Sequence, residues 1–143
     1  MQMANDSFWN QKGDATIGIG YVGLKKGNSI TVITATLTAT LTSDTTYTSG
    51  ETNIIGFNSI LLELINPSAG LTSKVNVSGA MSSGGTMVDV IDKDTSAQMT
   101  ATFTTNKTVK FVGLPDYLGF SAILSAGMTA GSSVTVKILP LTL

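Results

Sequence analysis

Residues 35–42 read Ala-Thr-Leu-Thr-Ala-Thr-Leu-Thr, a one-for-one exchange of apolar and hydroxyl side chains. Successive side chains leave an extended backbone on opposite faces, so a period of two builds an amphipathic strand and not a helix, whose period is 3.6. The same period recurs along the chain. Ile17, Ile19 and Tyr21 alternate with Gly18 and Gly20, and Val75 and Val77 with Lys74, Asn76 and Ser78. Met99, Ala101 and Phe103 alternate with Thr100, Thr102 and Thr104, Val109 and Phe111 with Thr108 and Lys110, and Val134, Val136 and Ile138 with Thr135 and Lys137. Each run describes an antiparallel strand with one face in a core and the other in water.

Turn chemistry separates the runs. Lys25-Lys26-Gly27-Asn28 reads as a hairpin turn, and Asn66-Pro67-Ser68-Ala69-Gly70 ends the strand before it because proline donates no ladder hydrogen bond. Ser82–Gly85, Asp92–Thr95, Thr105–Lys107 and residues 126–132 read as loops. The pattern predicts strands over residues 15–24, 29–42, 54–65, 73–79, 86–92, 98–104, 107–113, 118–125 and 132–141, about nine in all. Many short strands with turns between them predict an all-β, antiparallel β-sandwich. Ile30 and Val32 sit on even positions and Ala35 to Leu41 on odd ones, which predicts a β-bulge near Val32-Ile33. Ile60 to Ile65 is apolar enough for a short helix, but its setting predicts a strand covered on both faces, with Glu63 needing a partner. At 143 residues the chain fits one domain over 15–143, preceded by a polar arm over 1–14 that shows no alternation.

The residues that are missing exclude much chemistry. With no Cys, disulfides, thiolate catalysis and Cys-ligated metals are excluded; with no His, so are the commonest general base and metal ligand. All eight basic residues are Lys, which removes bidentate recognition of phosphate by Arg. Scattered Lys at a net charge of −1 argues against nucleic-acid binding, whose affinity comes from phosphate neutralisation. These absences point to a chain that is not an enzyme and carries no cofactor. Charged residues make up 12% of the chain, about half the usual share. Two readings fit that figure: a surface covered by neighbours in use, or Thr-rich faces simply well suited to water. No apolar run approaches the ~18 residues of a membrane span, so no membrane partner is expected. Residues 1–14 hold no apolar run, so they do not read as a secretory signal peptide.

Candidate sites divide between two readings each. Asp89, Asp92 and Asp94 would suit a hard cation, but the loop lacks the Gly and terminal Glu of a calcium loop, and the favoured reading is a turn capped by its own carboxylates, with no metal. Glu51 and Glu63, the two Glu residues, show no spacing that pairs them for glycoside hydrolysis. The Ser and Thr hydroxyls would need a Lys base, and no Ser-x-x-Lys spacing stands out. Gly18-Ile19-Gly20-Tyr21-Val22-Gly23 superficially resembles a phosphate loop but lies in a strand pattern, where close packing is the simpler role. A Lys–Asn or Lys–Asp isopeptide crosslink would need a buried triad. Phe8-Trp9 is the sharpest oddity: the single Trp stands beside a Phe inside a polar arm. Aromatics anchor protein interfaces, so Phe8 and Trp9 are the candidate partner-binding residues, with plugging of the chain's own sandwich as the alternative.

The C-terminal third reads Phe111-Val112-Gly113-Leu114-Pro115-Asp116-Tyr117-Leu118-Gly119-Phe120-Ser121-Ala122, then a Gly-containing loop, then Val134-Thr135-Val136-Lys137-Ile138-Leu139-Pro140-Leu141. This cadence resembles β-sandwich structural proteins of tailed bacteriophages, most of all the auxiliary capsid proteins of the decoration or cement class. The resemblance covers about a quarter of the chain and transfers no site residue. It implies a jelly-roll-like module, often trimeric, that clamps capsomers from outside, and so a virion location with a capsid or neighbouring structural protein as partner. The other expectation is a carbohydrate- or receptor-binding module of a surface fibre, for which Tyr47 and Tyr117 are the loop candidates.

Overall fold

The computed structural model describes residues 25–65 and 71–143. In chain order the strands are β1 (Lys25–Lys26), β2 (Ile30–Thr36), β3 (Thr45–Thr48), β4 (Thr52–Asn53), β5 (Ser59–Ile65), β6 (Ser73–Ala80) and β7 (Val88–Asp89). They continue with β8 (Ile91–Asp92), β9 (Ala97–Gln98), β10 (Thr100–Phe103), β11 (Lys107–Val112), β12 (Tyr117–Leu124) and β13 (Ser133–Thr142). The protein is all-β, and every strand pair is antiparallel.

One sheet has the order β11-β5-β13-β2, with β1 also on β13; the other has the order β10-β6-β12-β3, with β4 on β12 and β7 on β6. Numbering only the strands of four or more residues, the first pairs with the last, the second with the next to last, and the chain passes back and forth between sheets. That is the strand order of a double-sheet jelly roll.

The alternation explains the packing. Ile60, Leu62 and Leu64 of β5 and Val134, Val136 and Ile138 of β13 face Val75 and Val77 of β6 and Leu118, Phe120 and Leu124 of β12, all buried in one cluster. Phe103 from β10 and Met128 from the loop before β13 complete the cluster, both fully buried.

The predicted bulge is present. Val136 pairs with Ile33 but Lys137 pairs with Thr31, so Val32 has no partner and the buried face changes parity there. A second irregularity accommodates Pro140 inside β13. Its carbonyl accepts from Gly27 N (2.9 Å), so its missing N–H points to the same side, where the gap between β1 and β2 asks for no ladder bond.

Several boundaries differ from the sequence reading. Lys25–Asn28 is not a hairpin turn: β1 and β2 run collinearly along β13, Lys25 opposite Thr142 and Thr36 opposite Ser133. The strand over 29–42 stops at Thr36. Beyond it Leu37 and Leu41 bond to the 127–132 loop, so Ala39 is exposed despite the alternation. Thr45–Thr48 is a strand that the polar composition concealed. Residues 54–58 precede β5 as a turn closed by Phe57 N to Ile54 O (2.9 Å), with Gly56 at φ 89°. The expected strand 86–92 divides into two two-residue pieces. Glu63 is exposed, so β5 is covered on one face only, and Glu63 lies in register between Thr108 and Lys137. Thirteen described runs therefore replace about nine, and the expected strand 15–24 lies outside the described residues.

Candidate interaction surface

The most built surface feature lies where the end of β6 meets the β11–β12 connection. A concavity of about 480 Å³ opens there, lined by residues including Gly79, Met81, Val88, Asp89, Leu114 and Pro115. Gly113, at φ 70°, turns the chain out of β11, and Leu114 N bonds to Asn58 O (2.9 Å), which fixes the lower wall. The upper wall is the 81–87 loop. Glu51 holds it by accepting from Ser83 Oγ (3.0 Å) and Gly84 N (2.7 Å).

Around this concavity the surface is apolar where a solvated loop would be polar. Met81 is 85% exposed, Val88 61%, Ile91 53% and Val112, next to Gly113, 49%. Clustered apolar exposure of this kind marks an interaction surface more often than scattered single residues do. Part of this surface has a sequence signal: Met87-Val88-Asp89-Val90-Ile91 is apolar without a clean period, so residues of both parities, Val88 and Ile91, are exposed.

Of the three aspartates, Asp92 takes the turn arrangement, while the Asp94 carboxylate meets Lys93 (3.2 Å). Asp92 Oδ1 accepts from Asp94 N (2.8 Å) and Thr95 N (3.3 Å), while Asp92 O accepts from Ser96 N (2.8 Å). Asp89 Oδ1 accepts from Gln98 Nε2 (2.9 Å), which also reaches Val77 O (3.2 Å) and so ties the β7 edge to β6. Glu51 and Glu63 serve different elements, one tethering a loop and the other lining the outer face of β5, and are not brought together as a pair. Among the described residues every Lys is exposed or half-buried, so none supplies the buried amine of an isopeptide triad. Tyr47 and Tyr117 are not loop aromatics: both are half-buried on strands, β3 and β12, and Tyr47 packs against the core. Phe8, Trp9 and the glycines at 18, 20 and 23 lie outside the described residues.

The outer faces of the two sheets differ. The β12–β6 face presents Thr48, Ser121, Asn76 and Thr100 along one rung, with Thr100 Oγ1 donating to Asn76 Oδ1 (2.8 Å). The β5–β13 face sets Leu61 opposite Leu139, flanked by Lys110 on β11 and Lys137 on β13.

No protein-family model matches the chain, and no curated protein matches it. Among solved structures it is similar to the crystal structure of the SPBc2 prophage-derived protein YomS, at 14% identity and a TM-score of 0.38, covering 82% of this chain and 94% of that one.

Proposed function

We propose that the chain is a non-enzymatic structural protein of a phage virion, attached to the outside of the capsid as a decoration or cement module. The observation that carries this reading is the exposure of Met81 and Val88 in the lining of one concavity, with Ile91 and Val112 each one residue along the chain from the lining residues Val90 and Gly113. Exposing such a surface to water costs free energy, and covering it stabilises by about 25 cal/mol per Å² of apolar area. The jelly-roll strand order is shared by viral capsid and lectin domains, which is an analogy of fold. The sequence resemblance over Phe111–Leu141 favours the capsid side of that analogy. The mechanism is burial of surface, multiplied by avidity when copies join as a homotrimer. In this reading Phe8 and Trp9 of the arm over 1–14 contact the capsid or a neighbouring structural protein, and neither nucleic acid nor membrane is a partner.

Density-gradient fractionation of a lysate containing the chain tests the proposal. The chain is expected to band with intact particles in many copies per particle. Its recovery only in the unassembled fractions overturns it.

A further inference from the structure

We infer that the ridge at residues 88–94 seats in the outer face of the β5–β13 sheet of a second copy of this chain. The inference deepens the preceding reading and rests on its premise that the ridge is covered in use.

The ridge is apolar and acidic. Val88 and Ile91 stand out from it, 61% and 53% exposed, beside the carboxylates of Asp89, Asp92 and Asp94, against which stands Lys93. Lys93 lies 3.2 Å from Asp94, and the three carboxylates still outnumber it, so the ridge stays anionic. The proposed socket has the opposite character. Leu61 and Leu139, register partners and both half-buried, help floor a concavity of about 260 Å³ whose walls include Thr108, Glu63 and Lys137. Glu63 faces Lys137 in the adjacent strand, and Lys110, opposite Leu61, adds an exposed cation to the rim. An apolar floor with a cationic rim complements an apolar ridge with an anionic rim. The other broad face, with Thr48, Ser121, Asn76 and Thr100, lacks this combination.

Topology excludes the ridge from its own socket. The ridge leaves the edge of β6 in one sheet, and the socket is the far face of the other sheet, with the core between them. Charge disfavours symmetric pairing: the ridge has three Asp against Lys93, so two ridges repel, and the socket has Lys110 and Lys137 against Glu63, so two sockets repel. The contact is therefore head-to-tail. Each copy gives its ridge to one neighbour and its socket to another, and such contacts close into a ring when the rotation between copies permits.

Sedimentation velocity on the full chain over a concentration series tests this with two variants. Asp89→Lys with Asp94→Lys reverses the ridge; Lys110→Glu reverses the net sign of the socket and leaves Glu63 and Lys137, register neighbours, unchanged. The wild-type chain is expected to self-associate, less at high salt. Each variant alone is expected to associate at least about tenfold more weakly, and mixing the two is expected to restore association, because each ridge then meets a socket of opposite sign. Far-UV circular dichroism checks that both variants keep the β fold. A wild-type chain that stays monomeric, variants that associate like wild type, or a mixture that does not recover would each overturn the inference. Particle attachment, measured separately, distinguishes failure of this contact from failure of the capsid reading.

Discussion

Gly79 and Pro115 pack so closely that no side chain fits between them: a Cβ on Gly79 would collide with Pro115 Cγ and press on Val90 Cγ2 at 3.2 Å. The contact joins the end of β6 to the β11–β12 connection and so sets the shape of the concavity at that end of the sandwich. Gly79→Ala is expected to destabilise the fold by about 1–3 kcal/mol, the usual cost of overpacking. Pairing it with Pro115→Ala is expected to recover part of the loss, since the two residues share one contact. Urea unfolding midpoints of the two single variants and the double variant measure the coupling; strict additivity would contradict the packing described.

The faces of β10 and β11 predict a sharp contrast. Phe103 is fully buried among the residues of both sheets, and Val112 is 49% exposed at the end of β11. Phe103→Ala is expected to cost about 3–5 kcal/mol. Val112→Ala is expected to change stability by no more than about 0.5 kcal/mol. Comparable losses at both positions would mean that the β11 end is covered in the free chain.

Glu51 connects the β3–β4 loop to the 81–87 loop through Ser83 and Gly84. Glu51→Ala is expected to speed hydrogen exchange at the Gly84 amide while leaving the core amides of β6 and β12 protected. Loss of protection across both strands would show that the tether supports the whole fold and not one loop.

Much of the architecture was legible because burial follows parity. Val75 and Val77, Leu118 and Phe120, and Val134 and Val136 all point inward as their alternation requires. The bulge at Val32 was legible for the same reason: a change of buried parity needs one unpaired residue. Two-residue ladders such as β7 and β8 were not legible, because they are too short to establish a period. Neither was the path of Leu37 to Leu41, where a partner loop from 127 to 132 overrides local alternation. The collinear β1 and β2 defeated turn chemistry, since Gly27-Asn28 reads locally as a reversal and only the distant β13 holds the chain straight. The exposed apolar surface was legible only in part: the irregular run Met87 to Ile91 marks Val88 and Ile91, but Met81 and Val112 stand apart from it in sequence.

The arm over residues 1–14 separates two roles for Phe8 and Trp9. Removing it is expected to leave the unfolding midpoint unchanged and to abolish attachment to the particle. Trp9→Ala alone is expected to weaken attachment by about 2 kcal/mol or more, as a hot-spot aromatic would. A truncated chain that is destabilised yet still attaches would assign the two aromatics to the chain's own sandwich.

The central claim is that this sandwich works by covering surface on a capsid. The most direct measurement adds purified chain to particles assembled without it and counts bound copies by quantitative gel analysis of washed particles. Binding is expected to saturate at a fixed ratio to the major capsid protein and to be lost when residues 1–14 are removed. Binding that never saturates, or no binding at all to intact particles, would contradict the account.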